Sequence, residues 1–182
     1  MLAYQNGDPT AFEILFKRHR GGLVSYLYQM SKNMMLSEEI SQATWMKLIE
    51  LATDGRYQPD PRAKFRTYLY LIARRKLYDV WDSADVQRRT DLPDEDLLVV
   101  VDGNEQHSDP GENLDLKQRL EQLLQALDTL SQEQREVMIL RFQGELSWEE
   151  IAKITDSTYD TTRSRARYGI KKLRGQLGKS NG

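Results

Sequence analysis

The amino-acid sequence predicts an all-α protein with two small helical domains joined by an acidic flexible linker. Apolar residues recur at helical spacing in residues 1–82 and again in residues 113–182. Residues 83–112 between them are acidic, contain two prolines and two glycines, and lack helical periodicity. Hydrophobic residues make up only 39% of the 182-residue chain, which favours two small cores over a single large one.

The first predicted helix begins at Asp8 and Pro9, because Asp is a good N-cap and proline suits the first helical position. Apolar residues then follow at intervals of three and four from Phe12 to Met30. The Gly21-Gly22 pair inside this stretch is a candidate kink or break.

Two more helices are expected before the linker. Ser37 is the expected N-cap of a helix that ends near Thr53, and the next helix should span residues 63–81. The loop between them is marked by Gly55 and two prolines. The run "LLVVV" at residues 97–101 is the exception inside the acidic linker, and it suits either a short strand or a segment that docks on a partner.

The C-terminal domain carries the strongest helix signals. A leucine-rich stripe is followed by two predicted capping boxes, Ser131 with Gln134 and Ser147 with Glu150. The second box opens a short helix, which a tight turn separates from a final helix over residues 158–177. A short helix, a turn and a longer basic helix form the pattern of a helix-turn-helix. Asp156 stands in the turn, and Asp tolerates left-handed backbone better than most residues.

The final helix is basic although the whole chain has a formal net charge of −2, and from Thr161 onward it contains no acidic residue. At 100° per residue its small and apolar side chains form one packing stripe, which consists of Thr162, Ala166, Ile170, Leu173 and Leu177. The other faces are almost entirely cationic, which indicates binding to the major groove of DNA. The expected base readers are Thr161, Ser164 and Arg165, and the expected phosphate contacts are Arg163, Arg167 and Lys171.

A second basic region lies in residues 55–81, where aromatic and basic residues alternate. Tyr70, Arg74 and Tyr78 share the helix face opposite the predicted apolar stripe, together with Trp81. Exposed aromatics beside arginine suit stacking on unpaired bases. The alternative is that the two tyrosines complete the helical core.

Several classes of protein are excluded or disfavoured. The chain has no cysteine and two histidines, so we expect no disulfide and no metal site. No apolar run is long enough to span a bilayer, and the N-terminus lacks the apolar core of a signal peptide, so we expect a cytoplasmic protein. No catalytic cluster and no glycine-rich phosphate loop is evident, so we expect no enzymatic activity and no cofactor. A stand-alone helix-turn-helix regulator is the alternative that the basic helix leaves open.

Taken together, the segments resemble a bacterial RNA polymerase sigma factor of the extracytoplasmic-function group. "DPTAFEILFKRH" resembles the opening helix of that family, and "SEEISQATWMKL" resembles the helix that docks on the polymerase β′ clamp. "FRTYLYLIARRKLYD" resembles the helix that melts the promoter and reads the −10 element. "LSQEQREVMILRFQGELSWEEIAKI" followed by "TTRSRARYGIKKLR" resembles the domain that binds the −35 element. The four segments occur in the family's order.

The resemblance implies three groups of site residues. Contact with core polymerase would be made by Glu39, Gln42 and Met46, which share one helix face. Contact with the −10 element would be made by Tyr57, Arg62, Lys64, Arg66, Tyr70, Arg74, Arg75 and Tyr78. Contact with the −35 element would be made by Thr161, Arg163, Ser164, Arg165, Arg167 and Lys171.

The implied function is that of a non-catalytic initiation subunit. It would bind core RNA polymerase through the β′ clamp and β subunits, bind promoter DNA, and be controlled by an anti-sigma factor. The two promoter elements lie roughly 60 Å apart at ~34–36 Å per DNA turn. The linker of about thirty residues can span up to ~100 Å when extended. Arg75 departs from the family, which usually has Asn there, and the acidic "VWDSAD" replaces a usually basic stretch.

Overall fold

The structure is a computed structural model that describes residues 1–58, 64–87 and 110–177. Two groups of four helices follow one another along the chain. The N-terminal unit contains α1 (Leu2–Gln5), α2 (Pro9–Ser31), α3 (Met34–Thr53) and α4 (Phe65–Gln87). The C-terminal unit contains α5 (Pro110–Asp128), α6 (Gln132–Phe142), α7 (Trp148–Ile154) and α8 (Tyr159–Leu177). The described residues contain no strand, which confirms the predicted all-α class.

The linker positions are only partly covered by the structure. Helix α4 continues to Gln87 and helix α5 begins at Pro110, so both helices extend into residues 83–112, the range that we predicted to be linker. The "LLVVV" run at residues 97–101 lies outside the described residues.

The N-terminal unit is a bundle of α2, α3 and α4 around a leucine core. Its fully buried side chains include Leu23, Leu27, Leu48, Leu69 and Leu77. At one end the rings of Phe12 and Phe16 contact Trp45 at centroid distances of 5.8 and 5.2 Å. Burial of one leucine contributes about 1.5–3 kcal/mol to folding. These leucines together therefore hold the three helices against one another.

Two local predictions for this unit are wrong. The Gly21-Gly22 pair does not break α2, which runs without interruption because its C-terminal half is buried against α3 and α4. The N-cap of α3 lies four residues before the expected Ser37, since the Asn33 side chain accepts a hydrogen bond from the Leu36 amide at 3.0 Å. Ser37 is therefore buried inside the helix, where its hydroxyl donates to the Asn33 carbonyl at 2.7 Å.

The C-terminal unit follows its predicted caps more closely. Asp8 in the first unit and Ser147 here both cap as expected, and Ser147 forms a full capping box with Glu150. The Glu150 amide donates to the Ser147 hydroxyl at 3.2 Å, and the Ser147 amide donates to the Glu150 carboxylate at 2.7 Å. Only the Ser131 half of the other predicted box forms: the Ser131 hydroxyl accepts from the Gln134 backbone amide at 3.4 Å and donates to Glu133.

The two units pack against each other, with α2 on α6 and α4 on α7. The Thr67 hydroxyl of α4 donates to Glu150 at 2.7 Å, and the Gln143 amide group donates to the Ser25 hydroxyl. These contacts join residues that are about 80 to 120 positions apart in the chain, so they hold the two units together rather than either unit alone.

Removal of the Ser147 hydroxyl should destabilise the C-terminal unit. We expect Ser147→Ala to lower the free energy of unfolding by about 1 kcal/mol, because the Glu150 amide loses its partner. Chemical denaturation followed by circular dichroism measures this. Ser83→Ala is the matched control, since that hydroxyl donates only within its own helix, to the Val80 carbonyl. Equal losses in the two variants would contradict a role for the capping box.

Candidate nucleic-acid interface

The helix-turn-helix is formed by α7, a four-residue turn and α8. Asp156 takes the left-handed conformation that the turn requires, with φ of 50°. The Thr155 hydroxyl donates to the Ile151 carbonyl at 2.8 Å, and the Thr158 hydroxyl accepts from the Thr161 amide at 3.1 Å. Both ends of the turn are therefore held by threonine side chains, which fixes the direction in which α8 leaves it.

One face of α8 is committed to packing. Its buried residues are Thr162, Ala166, Gly169 and Leu173. The predicted stripe is confirmed for three of these, whereas Ile170 is only half-buried and Gly169 was not expected. A Cβ atom at Gly169 would lie 3.2 Å from Cγ of Met138 in α6, so the glycine allows α8 to approach α6 closely.

The other faces of α8 carry the cations. Of the predicted −35 contacts, Thr161, Arg163, Arg167 and Lys171 are exposed, and Ser164 and Arg165 are half-buried. A groove of about 720 Å³ is lined by Trp148 and by the polar or charged side chains Asp160, Arg163, Ser164, Arg167, Lys171 and Arg174. This groove brings four basic residues together.

Thr161 and Arg165 lie outside that groove. Arg165 lies near Glu133 at the start of α6. Hydrogen bonds from its own backbone and from Ser131 lower the pKa of Glu133, and the charge of Arg165 lowers it further. Two of the three expected base readers, Thr161 and Arg165, therefore lie on a different side of α8 from the groove cations, whereas the third, Ser164, lines the groove.

Aromatic rings orient several of these guanidinium groups. Arg163 lies over the ring of Tyr159 at 5.7 Å, and Arg167 lies over the ring of Tyr168 at 5.4 Å. Cation–π contacts of this kind are worth about 0.5–1 kcal/mol at exposed sites. They restrict the side-chain rotamers without consuming the N–H donors that would bind phosphate.

The predicted −10 face of α4 is not exposed in this structure. Arg66, Tyr70, Arg74 and Tyr78 follow one another at intervals of four along one side of the helix, and this side faces the C-terminal unit. Only 4% of Tyr70 is exposed, and its ring meets that of Tyr26 edge-on at 5.2 Å. Our expectation of an open aromatic surface here is wrong, because Tyr70 packs on α2 while Arg74 and Tyr78 are bonded to α6 of the C-terminal unit.

At the centre of this contact is Glu136 of α6, a residue that the sequence reasoning missed. Its side chain is 2% exposed. One carboxylate oxygen accepts from the Tyr26 hydroxyl at 2.8 Å and from Nε of Arg74 at 2.9 Å. The other accepts from the Tyr78 hydroxyl at 3.2 Å, and the Arg74 guanidinium lies 4.1 Å from the centre of the Tyr78 ring. The available signal was an acidic residue beside an apolar run, residues 137–140.

Burial and the charge of Glu136 shift the pKa values of the three side chains that donate to it. Burial raises the pKa of Tyr26 well above its ordinary value, and the Glu136 charge raises it further. The pKa of Tyr78 is raised for the same two reasons. Burial alone would lower the pKa of Arg74, but the charge and hydrogen bond of Glu136 raise it. The arginine therefore stays cationic inside the interface.

The remaining −10 candidates are spread over different environments. Tyr57 is buried against the Tyr68 ring at 5.4 Å. Lys64 and Arg75 are exposed, and Arg62 lies outside the described residues. Arg66 forms an ion pair with Glu145 of the C-terminal unit at 2.8 Å.

The predicted polymerase-binding residues lie together on the open side of the N-terminal unit. Glu39, Gln42 and Met46 are all exposed on α3, and 70% of Met46 is accessible. Gln42 and Met46 line a groove of about 360 Å³ between α2 and α3, whose floor includes Phe16 and Trp45. An exposed methionine above an apolar groove is typical of a protein-binding surface.

Comparison with known proteins accounts for both units. Sigma-70 region 2 matches residues 15–86, and Sigma-70, region 4 matches residues 120–173. The chain is 32% identical over 180 residues to the RNA polymerase sigma factor CarQ of Myxococcus xanthus, and the match covers 98% of this chain and 95% of CarQ. The chain belongs to the sigma-70 family of RNA polymerase sigma factors, in its extracytoplasmic-function group.

Two solved structures share the fold of this sigma factor. The sigma factor RpoE of Bartonella quintana, in complex with the anti-sigma factor NepR, aligns with a TM-score of 0.71 at 20% identity, over 92% of this chain and 97% of RpoE. CnrH, in complex with the cytosolic domain of CnrY, aligns with a TM-score of 0.61 at 19% identity, over 96% of this chain and 92% of CnrH.

Family membership decides between the alternatives. A sigma factor directs promoter-specific transcription, so the stand-alone regulator is not needed to explain the basic helix. The family is one of transcription initiation factors, which are generally non-catalytic. Among the helices of the described ranges, none has both the length and the apolar character needed to cross a bilayer.

The buried tyrosine that packs α4 on α2 should make the sigma factor sensitive to alkaline pH. Burial raises the pKa of Tyr70 to about 12 from 10.0, although the charge of Arg66 opposes the shift. Its contribution to stability is therefore complete below pH 10 and is lost as pH rises towards about 12, because the unfolded chain ionises first. The total loss is about 2–3 kcal/mol.

Denaturation midpoints measured at about pH 9 and about pH 11 test this. The wild type should lose more stability over that interval than Tyr70→Phe, which has no phenol to ionise. Tyr168→Phe removes the phenol of an exposed ring and should behave as the wild type does. An equal loss in wild type and Tyr70→Phe would contradict the burial of this hydroxyl.

Proposed function

We propose that this sigma factor joins core RNA polymerase through the exposed face of α3 and places α8 on the −35 element and α4 on the −10 element. The observation that carries the proposal is the division of α8 into a buried stripe and a cationic outer surface, directly after a capped helix and a left-handed turn. Polymerase supplies the chemistry, and the sigma factor supplies recognition.

Recognition of the −35 element is assigned to two kinds of contact. Arg163, Arg167 and Lys171 line the basic groove of α8 and suit phosphates, which position the helix without reading sequence. Thr161 and Arg165 lie outside the groove, near the N-terminal turns that reach base edges in helix-turn-helix proteins. Ser164 lines the groove next to Arg165 in the chain, so it can contact either a phosphate or a base edge.

Recognition of the −10 element is assigned to α4 and the loop before it. Lys64 and Arg75 are already exposed and can contact phosphates. Arg66, Tyr70, Arg74 and Tyr78 form a row in which rings and guanidinium groups alternate, which suits the stacking of unpaired bases. Tyr57 and Arg62 belong to the loop that would hold a base flipped out of the duplex.

Attachment to core polymerase is assigned to Glu39, Gln42 and Met46. An exposed acid and amide on one helix face provide polar specificity for the β′ clamp. The neighbouring α2–α3 groove, lined by Phe16 and Trp45, offers apolar area. A mixture of apolar anchor and polar contacts is typical of stable protein interfaces.

Control by an anti-sigma protein is part of the proposal. RpoE of Bartonella quintana was solved with the anti-sigma factor NepR, and CnrH with the cytosolic domain of CnrY. RpoE and CnrH share the two-unit fold of this chain, so we expect a comparable anti-sigma protein to bind the same pair of units here. We propose that the sigma factor acts in the bacterial cytoplasm, with no membrane insertion of its own.

The proposal is tested by transcription in vitro with core polymerase on a genomic library. The wild type should produce promoter-specific start sites, and Glu39→Lys should reduce holoenzyme formation because it reverses a charge at the contact. Glu50→Lys is the matched control, since it reverses an exposed charge at the other end of α3. Absence of specific starts with the wild type would contradict the proposal as a whole, and normal holoenzyme with Glu39→Lys would contradict the α3 assignment.

The two kinds of −35 contact should respond differently to truncation. Arg165→Ala should cost about 1–3 kcal/mol at a single base position and relax specificity there. Lys171→Ala should weaken holoenzyme binding about equally across promoter sequences and reduce the salt dependence by about one counterion. Start-site profiles on a randomised −35 library, at two salt concentrations, measure both effects. A uniform loss with Arg165→Ala would instead make that residue a phosphate contact.

A further inference from the structure

We propose that Glu136 holds the free sigma factor closed by occupying the side chains that bind the −10 strand, so that the carboxylate and DNA compete for them. This inference rests on the proposed function of α4. The donors to Glu136 include Arg74 and Tyr78, two residues of the −10 row, together with Tyr26 of α2. A carboxylate of the C-terminal unit thus occupies two side chains that the proposed function assigns to the −10 strand.

The same pattern recurs along the rest of the interface. Arg66 donates to the Glu145 carboxylate at 2.8 Å and to the Glu145 carbonyl at 3.2 Å. Thr67 donates to the Glu150 carboxylate at 2.7 Å. Glu136, Glu145 and Glu150 of the C-terminal unit therefore all accept hydrogen bonds from side chains of α4. All three precede the basic α8 in the chain. The C-terminal unit presents negative charge to the −10 helix and positive charge to solvent.

Burial makes the Glu136 contact close to all-or-none. A carboxylate that is 2% exposed is stable only while its donors stay in place, because an unpaired buried charge is very costly. When the units separate, water reaches Glu136, and Arg74 and Tyr78 become free at the same moment. The closed and open states are therefore two distinct arrangements rather than a continuous range.

Promoter geometry requires the open state. The −10 and −35 elements lie roughly 60 Å apart on DNA. In the closed state α4 packs directly on α7, at the ~8–10 Å spacing of contacting helices. The two reading helices cannot occupy both elements in this arrangement, so holoenzyme formation has to break the Glu136 contact. The free chain is thereby kept from binding single strands until polymerase separates its units.

Two measurements on the full chain test the inference. The sequence contains no cysteine, so nitroxides can be attached at Met35→Cys and Glu149→Cys, two exposed sites on opposite units. Pulsed electron paramagnetic resonance then reports the distance between the units. Fluorescence anisotropy reports the affinity for a labelled single-stranded oligonucleotide of mixed sequence. Circular dichroism confirms that each variant is folded.

Glu136→Gln should lengthen the distance and raise the affinity for the oligonucleotide about tenfold, because a neutral amide holds Arg74 less strongly than a carboxylate. Glu13→Gln removes an exposed carboxylate that pairs with Lys17 inside α2 and should alter neither quantity. An unchanged distance in folded Glu136→Gln overturns the closing role. A longer distance without a gain in affinity overturns the competition with DNA. Failure of the proposed function would appear separately, as absence of specific transcription by the wild type.

A reversible cross-link tests the same inference without disturbing the buried charge. Ser25 and Gln143 are hydrogen-bonded across the interface. The double variant Ser25→Cys, Gln143→Cys therefore places two thiols close together, and a short reagent that forms a reducible disulfide with each thiol can join them. The cross-linked chain should bind the oligonucleotide about tenfold more weakly than the same chain after reduction. Equal binding before and after reduction would overturn the inference even if Glu136→Gln failed to fold.

Discussion

A single buried carboxylate determines how the two helical units of this sigma factor lie together. Glu136 accepts hydrogen bonds from Tyr26 of α2 and from Arg74 and Tyr78 of α4, so one side chain connects three helices. Because burying a charge is costly unless it is fully paired, these donors have to stay where they are while the units touch. The ion pair of Arg66 with Glu145 follows from the same packing.

Helix α8 separates two physical tasks by face. Thr162, Ala166 and Leu173 are small or apolar and carry the packing, while the cations project outward or into the groove beside Trp148. The packing residues and the cations therefore lie on different faces of α8. The overall charge of −2 says nothing about this surface, because acidic residues elsewhere in the chain offset the cations of α8.

The parts of the fold that were predictable are those encoded in local sequence. The Ser147 box, the Asp156 turn and most of the α8 stripe depend on residues a few positions apart, and all were found from spacing. The errors had different causes. Asn33 outcompeted Ser37 as the cap of α3, and tertiary packing kept α2 continuous through its two glycines.

The candidate site was predictable only in part, for the same reason. Periodicity separated the buried stripe of α8 from four exposed candidates, Thr161, Arg163, Arg167 and Lys171, and the family resemblance pointed to the exposed residues of α3. Periodicity could not show that the α4 row faces the C-terminal unit, since the hydrogen bonds from Arg74 and Tyr78 to Glu136 join positions 62 and 58 residues apart. A helix face that looks free in sequence can be covered by a distant segment.

The close approach at Gly169 makes promoter preference adjustable without loss of the fold. The contact of Gly169 with Met138 sets how near α8 lies to α6 at that point, and neither Thr161 nor Ser164 takes part in it. Substitutions at these two positions therefore change the preferred DNA sequence on an unchanged support. Duplicated copies of such a gene could acquire new target promoters by a few outward-facing changes alone.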